Sequence, residues 1–397
     1  MIFKITLFSL AFLFTLCFFF FSHDAYATDY CTNLTHPNLY VSAEKSVFNN
    51  YFAGPQIIEV VVCDSDISDT STAKGEPDVV VNGKNLRMAQ AVDGNWHGYF
   101  ADRNMAQVAD STTSVTGKGL DFGKFCSNTT PSNVTGISLG DTAGFSLPYA
   151  DSSGTDGTVL LSSCSFAGTK TTLANHVIRN PPVLNTALPD AGQIGITQSA
   201  WPLIQLYDLN PTGNVIIQYN KGGGTQTTTL TFDTVDQFAN ISADKTTLNP
   251  DDKITLSITD VHLNIDPTDI DSWTFATNPS SPQVHYQMFK GNNVDGDGNS
   301  NDIGYVLSSL MFANNGFLTI QNTDKILQAL DNSNQVLMLD PNGLGTLDIP
   351  STELPVTITE TGVISGVFTN SDSSIANLKA VSLNSALAGK SSTISYN

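Results

Sequence analysis

A chain of 397 residues has room for two or three domains, and its 40% apolar content is enough to build cores, which excludes a disordered polymer. Only 14% of the residues are charged, and 37 acidic against 17 basic side chains give a formal net charge of -20. Such a surface repels nucleic acid and anionic lipid headgroups, excluding both as partners, and attracts cations.

The chain opens with an export address. Lys4 supplies a positive start, Ile5 to Phe21 is an apolar run, and Ala25-Tyr26-Ala27 puts small residues where a signal peptidase needs them. Cleavage after Ala27 is expected, in preference to a retained anchor, although the run nearly spans a bilayer. No later stretch is apolar enough to span a membrane, so the expected mature chain is secreted and has no transmembrane segment. Cys17 leaves with the leader, while Cys31, Cys63, Cys126 and Cys164 remain. Four cysteines in an oxidising compartment imply two disulfides, with three possible pairings; the sequence-local choice is Cys31–Cys63 with Cys126–Cys164. N-x-S/T sequons stand at Asn33, Asn128, Asn133 and Asn240, each a weak signal alone and a glycan candidate in an exported chain.

Pro55 to Cys63 is a nearly all-apolar strand, which suits a central position buried on both faces. Asp64 to Asp78 is an acidic loop. Val79 to Val81, Asn82-Gly83, and then Leu86 and Met88 read as a hairpin, since Asn-Gly is the strongest two-residue turn signal. Asn95 to Phe100 is a further strand. Asp102 to Ala109 suits one or two helical turns, with Asp102 as N-cap and Met105 and Val108 on one face. Gly117 to Ser165 is loop-rich, Val177 to Ala191 extended and Pro-rich, and Ile194 to Leu209 supplies strands.

Val215, Ile217 and Tyr219, then Gly222 to Gly224, then Thr228, Leu230 and Phe232 describe a long hairpin with one buried face. The polar passage Asp233 to Asp252 reads as a hinge. The expected division is therefore a signal peptide over 1–27, a disulfide-stapled β-sandwich domain over 28–238, as one unit or two subdomains, and a second β-sandwich domain over 239–397. The second begins with a strand over Ile254 to Ile258, a bulge between Asp260 and Val261, and strands at Trp273 to Phe275 and Val284 to Met288. Short helices are expected around Val306 to Met311 and Asp324 to Leu330. Strands at Leu337 to Asp340, Leu354 to Thr359, Val363 to Phe368, Leu378 to Leu383 and Thr393 to Tyr396 complete it. Short strands at this spacing, separated by turn residues, predict an all-β fold of tandem β-sandwiches.

The best candidate ligand loop is NVDGDGNSND, residues 293–302. Asn293, Asp295, Asp297, Asn299 and Asn301 alternate, Gly298 is sixth, and Asp302 offers a late ligand. Calcium wants six to eight oxygens, which consecutive side chains at this spacing can supply. An EF-hand is not matched, because Gly304 stands where a bidentate Glu belongs. A solvated Asp/Asn/Gly turn is the competing reading, and mutual repulsion of the Asp residues favours a cation. Asp266, Asp269 and Asp271 form a weaker cluster at the domain boundary, extended by Asp251 and Asp252; turn and cap roles explain it better than a shared metal ion.

Catalytic signatures are missing: G-x-S-x-G, H-E-x-x-H and Walker A motifs do not occur. His36, His97, His176, His262 and His285 show no ligand spacing. Trp96, Trp201 and Trp273 fit core anchors better than a sugar platform. No catalytic residue, enzymatic activity or organic cofactor is expected.

Gly75 to Asp110, Gly117 to Cys126, Trp201 to Asp236 and Leu263 to Phe275 resemble the surface-layer (S-layer) proteins of ammonia-oxidising archaea (Thaumarchaeota, or Nitrososphaeria). Thr361 to Asn370 and Ser391 to Asn397 look like the end of that family's immunoglobulin-like domain. The resemblance covers most of the mature chain and points to the family's N-terminal region, or to a short paralogue, because family members continue through further β-domains. It implies immunoglobulin-like sandwiches, glycosylation, divalent cation binding and self-association into a lattice on the cell surface. A secreted adhesin or carbohydrate-binding β-sandwich is the alternative expectation, and a secreted hydrolase with an unmotifed carboxylate pair a third.

Overall fold

The computed structural model describes residues 31–32, 35–113, 120–130, 132–148, 164, 176–287, 302–329, 335–340, 343–348, 354–372, 375–376, 378–380 and 388–397. The leader and its cleavage site, the sequon at Asn33 and residues 288–301 lie outside the described residues. In the first part of the chain the strands are β1 (Leu39–Val41), β2 (Tyr51–Phe52), β3 (Ile58–Val62), β4 (Val79–Val81), β5 (Lys84–Asn85), β6 (Ala89–Gln90) and β7 (Trp96–Asp102). Helix α1 (Arg103–Asp110) follows, then β8 (Lys124–Cys126), β9 (Gly144–Leu147), β10 (Ile204–Tyr207), β11 (Gly213–Lys221) and β12 (Gly224–Phe232). One sheet runs β1-β3-β7-β10-β9-β8, with β6 also on β7; the other runs β2-β12-β11-β4-β5.

Strand β3 is buried at every position, as its apolar run predicts. Val60 and Val62, with Trp96 and Phe100 of β7, meet Val81, Ile217, Leu230 and Phe232 of the second sheet, which makes the sandwich core. The opposite face of the first sheet carries Tyr99, Ala101, Phe145 and Leu206, packed beneath Ala106 and Ala109 of α1 and beside Trp201. In the long hairpin Val215 pairs with Leu230 and Ile217 with Thr228. Its turn uses Gly223 at φ 102°, a conformation that needs glycine. The Asp102 carboxylate caps α1, accepting from Met105 N–H at 2.9 Å. The buried stripe of the helix is Ala106 and Ala109, one position beyond the predicted Met105 and Val108.

The rest of the chain supplies β13 (Asn240–Ala243), β14 (Leu256–Thr259), β15 (Ser272–Ala276), β16 (Gln283–Gln287), β17 (Leu318–Gln321), β18 (Leu327–Ala329), β19 (Gln335–Asp340) and β20 (Gly343–Asp348). It ends with β21 (Val356–Glu360), β22 (Val367–Thr369), β23 (Ser371–Asp372), β24 (Ile375–Ala376), β25 (Leu378–Ala380) and β26 (Thr393–Tyr396). The main sheet is ordered β13-β14-β22-β21-β15-β16, and β17 pairs with β26 beside it. Among the described residues no strand pairing crosses between the part ending at Phe232 and the part starting at Asn240. Apolar contact does cross: Leu256, Trp273, Ile303 and Leu310 belong to the same buried cluster as Ile57, Ala106 and Trp201.

Four local expectations are corrected. Between β14 and β15 the chain makes a 3-10 turn, Val261–Leu263, instead of a bulge, because Asp260 caps it by accepting from His262 N–H at 2.9 Å. The stretch after Asp324 holds strand β18, not a helix; Asn322 closes a turn onto Leu327, and Lys325 takes φ 53°. The strand predicted from Val363 begins at Val367, since Ile364 at φ 59° and Gly366 at φ 64° make a turn first. The polar passage after Asp233 is ordered, with a 3-10 turn, Asp236–Phe238, and the edge strand β13 inside it. Residues 381–383 of the strand predicted from Leu378 lie outside the described residues.

Both sequence-local disulfides form. Cys31 and Cys63 have Cα atoms 5.7 Å apart, and Cys126 and Cys164 5.4 Å apart. Among the described residues no helix is long and apolar enough to cross a membrane.

Candidate functional site

The densest polar constellation lies where the two parts of the chain meet. The loop leading into β15 presents Asp266, Asp269 and Asp271. From the extended stretch after Val177, Arg179 inserts into it. Its main-chain N–H and its Nε both donate to Asp266 Oδ2, at 2.9 and 3.0 Å. Its Nη2 donates to Asp271 Oδ1 at 2.9 Å and to the Ile270 carbonyl at 2.7 Å. The Arg179 side chain is 2% exposed and both carboxylates 0%.

The remaining acceptors are also used. Asp266 Oδ1 accepts from Thr268 N–H and Oγ1, at 2.8 and 2.6 Å. Asp271 Oδ2 accepts from Ile265 N–H and Asp266 N–H, and its Oδ1 from the Tyr286 hydroxyl at 2.7 Å. Asp269 Oδ1 accepts from Ile270 N–H at 2.9 Å. Of the three carboxylates that the sequence offers as a weak metal cluster, Asp266 and Asp271 are bridged by the Arg179 guanidinium. The turn and cap roles are present as well. Asp252 lies apart, accepting from Asn249 N–H and Lys245 Nζ, and Asp251 N–H donates to the Ala380 carbonyl.

A fourth carboxylate was missed in the sequence. Glu360, at the end of β21, accepts from Gly366 N–H at 2.8 Å and Ser365 Oγ at 3.3 Å, and its other oxygen faces Asp271 N–H at 3.4 Å. No cation lies within ion-pair distance of Glu360 among the described residues. Burial pushes the Asp266 carboxyl up to about 6 and the Asp271 carboxyl up to about 7, against the pull of Arg179. Burial, and then the charge of Asp271, hold Glu360 well above the ordinary carboxylate range.

Beside Glu360 a narrow cleft separates the two parts, lined by Ser42, Lys45, Phe48, Gln56, Asn264 and Ile364 among others. Lys45 Nζ donates across it to the Ile364 carbonyl. Burial lowers the Lys45 ammonium, and the Glu360 charge works the other way. Gln56 Nε2 donates to the Asn264 carbonyl at 2.8 Å, and Ile57 N–H to the Ile265 carbonyl at 3.1 Å. Gly54, at φ +58°, lets the chain pass the Leu310 carbonyl oxygen, which a Cβ would approach to 2.5 Å.

Two further buried clusters flank the junction. Under the first sheet, Glu59 Oε1 accepts from the Tyr99 hydroxyl at 2.9 Å and lies 3.2 Å from His97 Nδ1. Asp93 Oδ2 stands 3.7 Å from His97 Nε2. Burial opposes a charged His97 ring, yet the carboxylates of Asp93 and Glu59 outweigh it and raise its pKa. On the other side, Asp260 accepts from Asn315 Nδ2 and the Tyr396 hydroxyl, and burial pushes it up to about 7. His262 stacks on Phe312 at 4.1 Å, and burial lowers it to about 3, which keeps the ring neutral.

The other predicted site residues are dispersed. Asn293, Asp295, Asp297, Asn299 and Asn301 of the candidate calcium loop lie outside the described residues. Asp302 closes that loop, its Oδ1 accepting from Val284 N–H at 3.0 Å and Gly304 N–H at 2.9 Å. Among the described residues no group of three or more His, Cys, Asp or Glu is placed to hold a metal ion. Trp96, Trp201 and Trp273 are all buried, as core anchors. Of the sequons, Asn133 and Asn240 are exposed. Asn128 is half-buried, and its Nδ2 donates to the Gly140 and Thr142 carbonyls, at 3.3 and 2.8 Å. A glycan on Nδ2 would leave one N–H for these two acceptors, so Asn128 is poorly suited to carry one.

The signal for Arg179 was present but quiet: a lone cation in a chain short of them, flanked by Val177-Ile178 and Pro181-Pro182. Nothing local marked Glu360 as a neighbour of Asp271, which lies 89 residues away. Compared with known proteins, the chain matches no protein-family model, and no curated protein matches it.

Proposed function

We propose that this chain is a structural subunit, or the N-terminal part of one, in an extracellular S-layer lattice. The observation that carries the reading is the junction: a buried arginine and main-chain bonds such as Ile57 N–H to Ile265 carbonyl join the two β-rich parts. A lattice subunit transmits force between neighbours, and joined β-modules with few exposed apolar groups among the described residues suit that task. Two disulfides suit an oxidising exterior. The acidic surface suits divalent cations as bridges between copies. Resemblance to archaeal surface-layer proteins supplies the remaining support, including the immunoglobulin-like assignment and the exported location.

The test is the intact mass and relative abundance of this chain in detergent-stripped cell envelopes. A dominant, glycosylated envelope species beginning at Thr28 is expected. A minor species found mainly in the medium would overturn the lattice reading and favour a secreted binding protein.

A further inference from the structure

The junction cluster contains more buried acid than buried base. Asp266, Asp271 and Glu360 are buried beside Arg179, which binds the two aspartates, and Lys45, which acts on Glu360 from across the cleft, with the Tyr286 hydroxyl as a neutral neighbour. These groups come from five segments, and the turn Val261–Leu263 beside them adds buried Asp260 and the neutral His262. Arg179 is on the stretch after Val177, and Lys45 precedes β2. The two Asp lie on the loop before β15, Tyr286 on β16 and Glu360 on β21. Arg179 is shared by Asp266 and Asp271, and Glu360 has no cation at ion-pair distance among the described residues. A buried carboxylate without a paired cation is expensive when ionised and tolerable when protonated.

We propose that this cluster is a proton-sensitive latch: the two parts of the chain are held together when the cluster carries protons, and the junction loosens as they leave. The atoms most directly affected are those that span the boundary. Arg179 binds the loop before β15 and Asn180 N–H donates to Thr268 Oγ1 at 3.1 Å; Glu360 stands behind them within the second part, against Asp271 N–H. Loss of the Glu360 proton puts a second buried negative charge beside Asp271, which the shared guanidinium of Arg179 does not offset. The disulfides and the long hairpin β11–β12 lie outside this network, so opening is confined to the junction.

Carboxyls that hold protons more tightly when folded than when unfolded stabilise the closed junction at low pH. That contribution falls as pH rises above about 4. For Asp266 and Asp271 the loss spans the interval up to about 6 and about 7, and for Glu360 it continues above the ordinary carboxylate range.

Hydrogen–deuterium exchange on the full chain tests the latch, with rates corrected for the intrinsic pH dependence of exchange. Between pH 6 and pH 9, protection in 177–182 and 264–271 is expected to fall by about tenfold or more, while β11 and β12 keep theirs. Glu360→Gln, which retains an acceptor for Gly366 N–H, is expected to remove most of that fall. If it does not fold, Asp271→Asn serves as the second variant, with the same expectation. Equal changes in the junction and in β11–β12, or a variant that keeps the full wild-type pH dependence, would overturn the proposal.

Discussion

Arg179 Nε lies 3.0 Å from Asp266 Oδ2, which ties the stretch after Val177 to the loop before β15. Their contact carries the first prediction. Removing the guanidinium in Arg179→Met leaves Asp266 and Asp271 buried without a cation. Loss of one partner from such a buried set costs about 3–5 kcal/mol. Urea unfolding is expected to show a midpoint lowered accordingly. Adding Asp266→Asn and Asp271→Asn to that variant should recover part of the loss, because the unpaired charges are gone. A single substitution that unfolds like wild type would show that the ion pairs contribute nothing.

The extent to which this could be read beforehand follows from range. Strand β3, the hairpin β11–β12, the cap at Asp102 and both disulfide pairings rest on residues close in sequence, and period-2 patterning or spacing exposes them. The Asp266–Asp271 cluster was visible as composition, but its cation lies 87 residues away from Asp266, where no local pattern connects the two. Glu360 is 89 residues from Asp271. The turn at Ile364 was misread because a β-branched residue normally argues for a strand; here it takes φ 59° under tertiary constraint, and Lys45 bonds its carbonyl.

His97 supplies a pH prediction independent of the junction. Its folded pKa is raised, because Asp93 and Glu59 outweigh the burial that opposes its charge. The stabilisation from the charged ring is therefore fully present below the unfolded value of about 6.5, and it is lost as pH rises through the raised folded value. Glu59→Gln removes one of the two carboxylates and should flatten this part of the stability profile. Melting temperatures from pH 5 to pH 8 check it. Parallel profiles for the variant and wild type would refute the assignment of a charged His97.

The disulfides close loops with sequence separations of 32 and 38 residues. Chain-entropy arithmetic gives about 3–4 kcal/mol for a loop of that size. Cys126–Cys164 has both ends buried in the core that α1 covers, whereas Cys31 is exposed. Mild reductant is therefore expected to open Cys31–Cys63 first. Mass spectrometry after timed alkylation reads the order directly, and alkylation of Cys126 ahead of Cys31 would contradict it.

The last prediction concerns calcium and rests on sequence spacing between Asn293 and Asp302. Asp295 and Asp297 are the charged ligands a cation would need most, since hard divalent ions take oxygen donors and prefer carboxylates. Asp302 Oδ1 is already held by Val284 and Gly304 N–H groups, which fixes that end of the loop against β16. Calorimetric titration of the full chain with calcium is expected to give a binding heat. Asp295→Asn combined with Asp297→Asn should abolish it, and chelation should lower the melting temperature of wild type but not of the variant. Equal heats in variant and wild type would remove this loop as a calcium site. The acidic surface would then be the remaining source of any cation dependence in assembly.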